Sequence, residues 1–232
     1  MAEPLSIPRG FAVIIMGIAM KILAVGGSPR KGRTTEQLVR GVMKGVECET
    51  EFVSLAGKTI SPCIACLGCV EDNVCVLDDD MRDLRPKIVE ADAYIIGAAN
   101  YYGALNGLSH CFLERWYQFR HREGKAVAGK LGVAVGVGGG EPEKPAQDIQ
   151  RFFEYNQIDC VGSVSAQGPA SCFECGYGES CKVGAIHMFF GPGTEITDEI
   201  TPDLSKQPEK MERARELGKQ LSDRLRKFVA GT

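Results

Sequence analysis

Three stretches of this chain are apolar almost without a break and end at small residues: Lys21–Gly26, Ala93–Ala99 and Leu131–Val137. An apolar run that does not alternate with polar residues marks a strand covered on both faces, the situation of a parallel sheet between two helical layers. Glu51–Leu55 and Ile158–Ser165 are weaker strand patterns that bring the total to five. Helix-period segments fall between them. One carries Leu38, Val39, Val42, Met43 and Val46, one runs from Asp78 to Glu90, one passes through Trp116 and Phe119, and one spans Ala146–Tyr155. A last helix is expected over about Pro208–Phe228, with a stripe of Met211, Ala214, Leu217, Leu221, Leu225 and Phe228 suited to core or subunit contact. Strands alternating with helices across short loops predict an α/β fold with a doubly wound five-stranded parallel sheet. Two local expectations attach to the second helix: Asp78, Asp79 and Asp80 cap its start, and Pro86 kinks or divides it.

Chain length and charge narrow the classes. The 232 residues suit one large domain or a domain with an insertion, and a net charge of -3 supplies no basic field for nucleic acid. The apolar run Phe11–Met20, preceded by Arg9, is too short to span a bilayer and is followed by no small-residue cleavage site. Residues 1–19 are therefore expected to be an extension ahead of a start at Met20, with no membrane role.

Ten cysteines are too many to be incidental, and seven of them crowd into two runs. That crowding, with no convincing export signal, points to metal-bound thiolates in a reducing cytoplasm rather than to disulfides. The first run, Cys63, Cys66, Cys69 and Cys75, has the spacing C-x2-C-x2-C-x5-C. Three thiols at three-residue intervals can wrap a small inorganic core and a fourth can close the cage, as an iron-sulfur cubane requires. Structural zinc more often uses two pairs held well apart, so it is the weaker reading. Gly68 is expected to help the chain bend there. The second run, Cys172-x2-Cys175-x5-Cys181, offers three ligands, with Cys160, Cys111, His187 or a neighbouring subunit as candidate fourth. A second cluster, a zinc site and a redox thiol set all remain open for it.

The first strand leads into Gly27-Ser28-Pro29-Arg30-Lys31-Gly32-Arg33-Thr34-Thr35 and then a helix. Backbone N–H groups at a helix start, the hydroxyls of Ser28, Thr34 and Thr35 and the Arg30 guanidinium suit a phosphate. A nucleotide-triphosphate loop is excluded, because Arg33 stands where that loop needs lysine and no strand ends in a magnesium-binding aspartate. A dinucleotide fingerprint at Gly136-x-Gly138 fails at Glu141. Two further loops leave strand ends: Asn100-Tyr101-Tyr102-Gly103, with aromatic rings for a flat cofactor, and Gly138-Gly139-Gly140, where a backbone can approach a planar ring. His110, His121 and Cys111 have no evident partners and are read as structural.

Taken together, the Gly27-Ser28-Pro29-Arg30 loop and the compact cysteine motif resemble the iron-sulfur flavoproteins of anaerobic archaea and bacteria. These lie within the NADPH-dependent FMN reductase group of flavodoxin-like fold, and the likeness runs from Met20 to Ser165. The resemblance implies a flavodoxin-like FMN-binding domain over 20–167, a cysteine-rich insertion over 168–195 and a helical segment over 196–232. It implies that Ser28, Arg30, Thr34 and Thr35 hold the FMN phosphate, and that Asn100, Tyr101, Tyr102 and Gly103 touch ribityl and ring. Gly138, Gly139 and Gly140 would form the second ring contact, and Cys63, Cys66, Cys69 and Cys75 would ligate a 4Fe-4S cluster. It further implies an FMN-dependent oxidoreductase that is a homo-oligomer, one subunit's cluster lying close to another's flavin. A ferredoxin-like one-electron donor would serve it, with NAD(P)H-dependent flavin or quinone reduction over a zinc site, or a non-enzymatic redox sensor, as alternatives. Ala98-Ala99 stands where the family often has Ser-Pro, and the second cysteine run is extra to the simplest members.

Overall fold

The computed structural model describes residues 14–15, 18–122 and 124–230. Five strands form its parallel sheet: β1 (Lys21–Gly26), β2 (Glu49–Ser54), β3 (Ala93–Tyr101), β5 (Leu131–Gly138) and β6 (Asp159–Gln167). The two-residue β4 (Ala104–Leu105) pairs antiparallel with the end of β3. The order across the sheet is β2-β1-β3-β5-β6, the flavodoxin-like arrangement. The order reverses between β1 and β3, so a crevice opens at the carboxyl ends of the strands there.

The helices are α1 (Thr34–Met43), α2 (Met81–Glu90), α3 (Gly107–Glu114, continued as a 3-10 turn over Arg115–Arg120), α4 (Glu143–Tyr155), α5 (Ala185–Phe190) and α6 (Pro208–Ala230). In β1, Leu23 and Val25 pack into the layer of α2, α3 and α4, while Ile22 and Ala24 pack against α1 and α6. Both faces are covered, which is why the strand has no polar alternation. Trp116, fully buried, gathers the first layer by edge-to-face contacts with Tyr94, Phe112, Phe119 and Phe152, all within 5.8 Å between centroids. On β5 the bulky side chains face α1 and α6, and small residues face α4. A Cβ at Gly132 would come within 2.6 Å of the Phe153 ring.

Several boundaries differ from the sequence expectation for physical reasons. β3 does not stop at Ala99 but continues through Tyr101 into a two-residue hairpin. α2 passes through Pro86 in one piece. Pro86 and Arg82 are both exposed, so the carbonyl deprived of its N–H donor faces water, and buried Met81, Leu84 and Ile88 hold the helix to the sheet. Of the acidic run, Asp79 accepts from the Met81 N–H at 3.0 Å, whereas Asp80 turns away to accept from the Thr59 N–H at 2.6 Å. In α6, Ala214, Leu217, Leu221 and Leu225 are buried. The Phe228 side chain, and half of the Phe11–Met20 run, lie outside the described residues. No helix among the described residues is long and apolar enough to cross a membrane.

Candidate functional site

At the carboxyl edge of the sheet a cavity of about 730 Å³ opens over the ends of β1, β3 and β5. The structure places Ser28, Arg30, Thr34, Thr35, Asn100, Tyr101, Tyr102, Gly103, Gly138, Gly139 and Gly140 on its wall. The loop after β1 is held from below. The Gly27 carbonyl accepts from Asn106 Nδ2 and Ser109 Oγ, both at 2.9 Å, and the Gly27 N–H donates to the Gly97 carbonyl at 2.7 Å. A Cβ at Gly27 would lie 2.1 Å from Ser109 Oγ and 2.7 Å from the Gly97 carbonyl oxygen, so only glycine lets the loop seat this close to α3 and β3. Ser28 Oγ accepts from the Arg30 N–H at 3.2 Å. Arg30 Nη2 donates to the Pro169 carbonyl at 2.8 Å, while its buried Nη1 has no hydrogen-bond partner. The nearest anion to Nη1 is Glu174, at 3.7 Å, and Glu174 also pairs with Arg33 at 3.2 Å. An unsatisfied cationic nitrogen beside two threonine hydroxyls at the start of α1 fits a phosphate end.

The aromatic wall is a tight hairpin. Tyr102 and Gly103 both have positive φ, 56° and 79°, the twist a two-residue hairpin turn needs. Tyr102 stands fully exposed in this left-handed conformation, an unfavourable place for a bulky residue without compensation. Asn100, on the cavity wall, also holds the two loops together. Its Nδ2 donates to the carbonyls of Gly140 at 2.7 Å and Glu141 at 2.9 Å, and its Oδ1 accepts from the Gly103 N–H at 2.8 Å. Its amide therefore staples the two loops to each other. The glycines at 138 and 139 also answer to protein neighbours. A Cβ at Gly138 would meet the Gly140 carbonyl oxygen at 2.5 Å, and one at Gly139 would meet the Ala170 Cβ at 3.0 Å.

The fourth wall comes from the second cysteine segment, which sequence reasoning kept apart from this cavity. Pro169, Cys172, Ala185, Met188 and Phe189 line it, as do Arg33 and Glu141. Met188 and Phe189 are largely exposed at the mouth. No local pattern announces this, because the contacts join residues from 31 positions apart, as at Gly139 and Ala170, to 139 apart, as at Arg30 and Pro169. The Arg33 side chain alone had a signal, its place in the loop before α1.

The first cysteine run forms a separate site. After β2 the chain has no regular element until α2, and Ala65, Leu67 and Asn73 adopt positive φ of 51°, 60° and 58°. Gly68 does not; its smallness is needed because a Cβ there would meet Val76 at 2.8 Å. Left-handed residues just ahead of Cys66 and beside Gly68 fold the loop so that Cys63, Cys66, Cys69 and Cys75 line one cavity of about 370 Å³ with Tyr117 and His121. Burial, and then the neighbouring thiols Cys75, Cys63 and Cys66, push the Cys69 thiol above its ordinary range. The loop is fixed to α3 and its 3-10 extension: the Cys63 N–H donates to Glu114 at 3.2 Å and the Cys75 N–H to Gln118 at 3.1 Å. Buried Arg115 donates to Asp79 at 2.5 Å and to the Ser61 carbonyl at 3.1 Å. His121 Nε2 is buried on this side without a partner, so the residue read as structural belongs to the cavity wall. An orphaned ring nitrogen and four thiols fit a sulfur-rich anionic core.

Among the described residues, no three His, Cys, Asp or Glu side chains converge on a point where one metal ion could sit. The thiols surround a space instead. Of the fourth ligands considered for the second run, Cys160 lies at the opposite end of β6, about 23 Å from Gln167 by strand rise, and Cys111 packs against the core. Burial pushes both thiols up. His187 alone shares the segment, on α5.

A model of the family described as NADPH-dependent FMN reductase matches residues 20–164. Fold, cavity and family match define the class, an FMN-dependent oxidoreductase of flavodoxin-like architecture. Among curated proteins, the chain is 35% identical to an iron-sulfur flavoprotein of Methanocaldococcus jannaschii, over 62% of this chain and 76% of that one. It is 33% identical to the iron-sulfur flavoprotein of Methanosarcina thermophila, over 64% and 81% respectively. The chain belongs to the iron-sulfur flavoproteins, within the NADPH-dependent FMN reductase family. Among solved structures, RosB with a bound riboflavin-5'-phosphate derivative superposes with a TM-score of 0.60 at 15% identity, covering 92% of this chain and 81% of that one. The Trp repressor binding protein of Bacillus subtilis gives 0.54 at 19%, covering 85% and 98%. At such identities these two speak to the fold alone. The segment bearing Cys172, Cys175 and Cys181 lies beyond the residues the family model matches.

Proposed function

We propose that the chain passes electrons between a one-electron donor such as a ferredoxin and a two-electron acceptor, through a 4Fe-4S cluster and FMN. The carrying observation is the cavity at the switch point, where buried Arg30 Nη1 has no acceptor and three loops supply hydroxyl, aromatic and glycine walls. In this reading Arg30, Ser28, Thr34 and Thr35 hold the phosphate, Tyr101 and Tyr102 flank the ring, and Gly138–Gly140 border it. Asn100 fixes the spacing between the ring loops, and the second cysteine segment shields the site from water. Cys63, Cys66, Cys69 and Cys75, which line one cavity at the spacing C-x2-C-x2-C-x5-C, hold the cluster, a pattern that suits a multi-iron core better than structural zinc. The bound flavin supplies the exchange between one-electron and two-electron chemistry, and no side chain need act as nucleophile.

The cysteine loop presents Ile64 and Leu67, each 62% exposed, and the flavin cavity presents Tyr102 and Met188. These apolar rims support a homo-oligomer that joins the cluster of one subunit to the flavin of another. The test is anaerobic. Reduced ferredoxin, and separately NADPH, is mixed with the full chain and the flavin absorbance followed, for the wild type and for Cys66→Ser. The variant is expected to keep FMN, lose iron and sulfide, and accept electrons from ferredoxin about tenfold more slowly or worse. Equal ferredoxin rates in the two proteins would overturn the cluster's role; reduction by NADPH alone would favour the plain reductase reading.

A further inference from the structure

The second cysteine run is more than a cover for the flavin cavity. It contains Cys172-Phe173-Glu174-Cys175-Gly176-Tyr177, in which Gly176 has a φ of 80° and the Tyr177 N–H donates to Cys175 Sγ at 3.4 Å. Nothing stands within 4 Å of a Cβ at Gly176, so its glycine serves the backbone turn and not a tight fit. That turn aims a backbone amide at the sulfur. Cys172 has the same provision: its Sγ accepts from the Ala185 N–H at 3.2 Å. Cys181 is brought alongside. A Cβ at Gly184 would lie 3.2 Å from Cys181 Sγ and 3.3 Å from Cys172 Sγ, so these two sulfurs flank the space that Gly184 leaves open. Cys175 stays in the same knot, its Sγ 3.6 Å from the Cys172 carbonyl oxygen.

We propose that Cys172, Cys175 and Cys181 hold a second iron-sulfur cluster, bound through three protein thiolates, at the mouth of this chain's own flavin cavity. Cys172 lines that cavity, and the segment is pinned over it by Glu174 on Arg30 and Arg33 and by the Gly168 N–H on the Gly138 carbonyl at 3.0 Å. The spacing Cys172-x2-Cys175-x5-Cys181 repeats that of Cys66-x2-Cys69-x5-Cys75, the compact pattern that suits an iron-sulfur core better than the paired ligands of structural zinc. The flavin reading gives this site its neighbour; the site itself stands on the three thiols. Its consequence is a one-electron centre beside the flavin within one subunit, in addition to the compact cluster on the far side of α3.

Iron, acid-labile sulfide, zinc and FMN are counted per full chain, purified anaerobically, for the wild type, Cys66→Ala, Cys175→Ala, the double variant and Gly184→Val. Expected are about eight irons and eight sulfides in the wild type, about four of each in either single variant, and none in the double. Gly184→Val keeps all three thiols but puts a side chain between two of them, so it should also fall to about four irons. A wild-type count of about four that vanishes in Cys66→Ala overturns the proposal, as does zinc that disappears only in Cys175→Ala. Iron that survives Cys66→Ala but not Cys175→Ala would instead overturn the compact cluster and leave this one standing. The wild-type count and the Gly184→Val result do not depend on how well a thiol-deleted chain folds.

Discussion

Arg30 Nη1 is out of water with no hydrogen-bond acceptor and only Glu174, 3.7 Å away, as a counter-charge, so a closer anion would satisfy it. Arg30→Ala should therefore weaken FMN binding to the apoprotein by about 10- to 100-fold, the loss of one charge-assisted contact, and Arg30→Lys should recover only part of it. Fluorescence titration with FMN reads this directly, and an unchanged Kd would place the phosphate elsewhere. Glu36 supports the same loop, accepting from the Gly32 N–H at 2.9 Å and from Arg40 at 2.9 and 3.0 Å. Burial alone would raise its carboxyl, but the Gly32 amide and Arg40 outweigh burial and hold it below the ordinary range. A carboxyl lower in the folded than in the unfolded chain stabilises above its unfolded pKa, and that gain is lost as pH falls through the folded value. Glu36→Gln should cost about 1 kcal/mol at neutral pH, and the gap to the wild type should close on acidification. Urea unfolding at both pH values checks this; a gap independent of pH would show that the charge is not what matters.

At the scale of elements, the cysteine loop depends on a contact it does not contain. Arg115 and Asp79 are 1% and 5% exposed in their side chains, and Asp79 also receives the Ser61 N–H at 2.9 Å. The ion pair thus ties the 3-10 turn after α3 to both ends of the loop. Asp79→Ala leaves a buried guanidinium without its counter-charge and should cost about 3–5 kcal/mol, with a matching fall in Tm. A loss below about 1 kcal/mol would mean that water reaches Arg115. The hairpin of β3 and β4 makes the complementary case. Tyr101 pairs with Ala104 and Asn100 with Leu105, so residues that read as a loop are strand, and only Tyr102 and Gly103 turn. The pattern hid this because the pairing is two residues long and β4 has no apolar period of its own.

On the scale of the whole molecule, two cavities are built on different logic. The cavity at the switch point follows from topology: once β1 and β3 are neighbours and β5 lies beside β3, their three loops converge wherever the helices go. The thiol cavity follows from local sequence, four cysteines on one loop, and borrows only its floor from α3. That difference explains what was legible. Nine of the eleven residues named around the switch-point cavity lie at strand ends or in the loops that leave them, whose positions the apolar runs disclose, and Thr34 and Thr35 open the helix that follows the first of these loops. His121 and Tyr117 were missed at the cysteine cavity because they reach it through the packing of α3, which leaves no mark on their own neighbours in the chain.

By itself the sequence determined the parallel sheet, the loop before α1 and the grouping of the thiols, because each is written in residues adjacent along the chain. Only the tertiary structure decided that Asn100 spends its amide on two loops, that one Arg30 nitrogen is left without a hydrogen bond, and that the segment of Cys172 closes over the switch-point cavity. Those outcomes depend on groups forty to a hundred and forty positions apart. Local propensity carries no information about such pairs; the shared core that fixes the strand order brings them together.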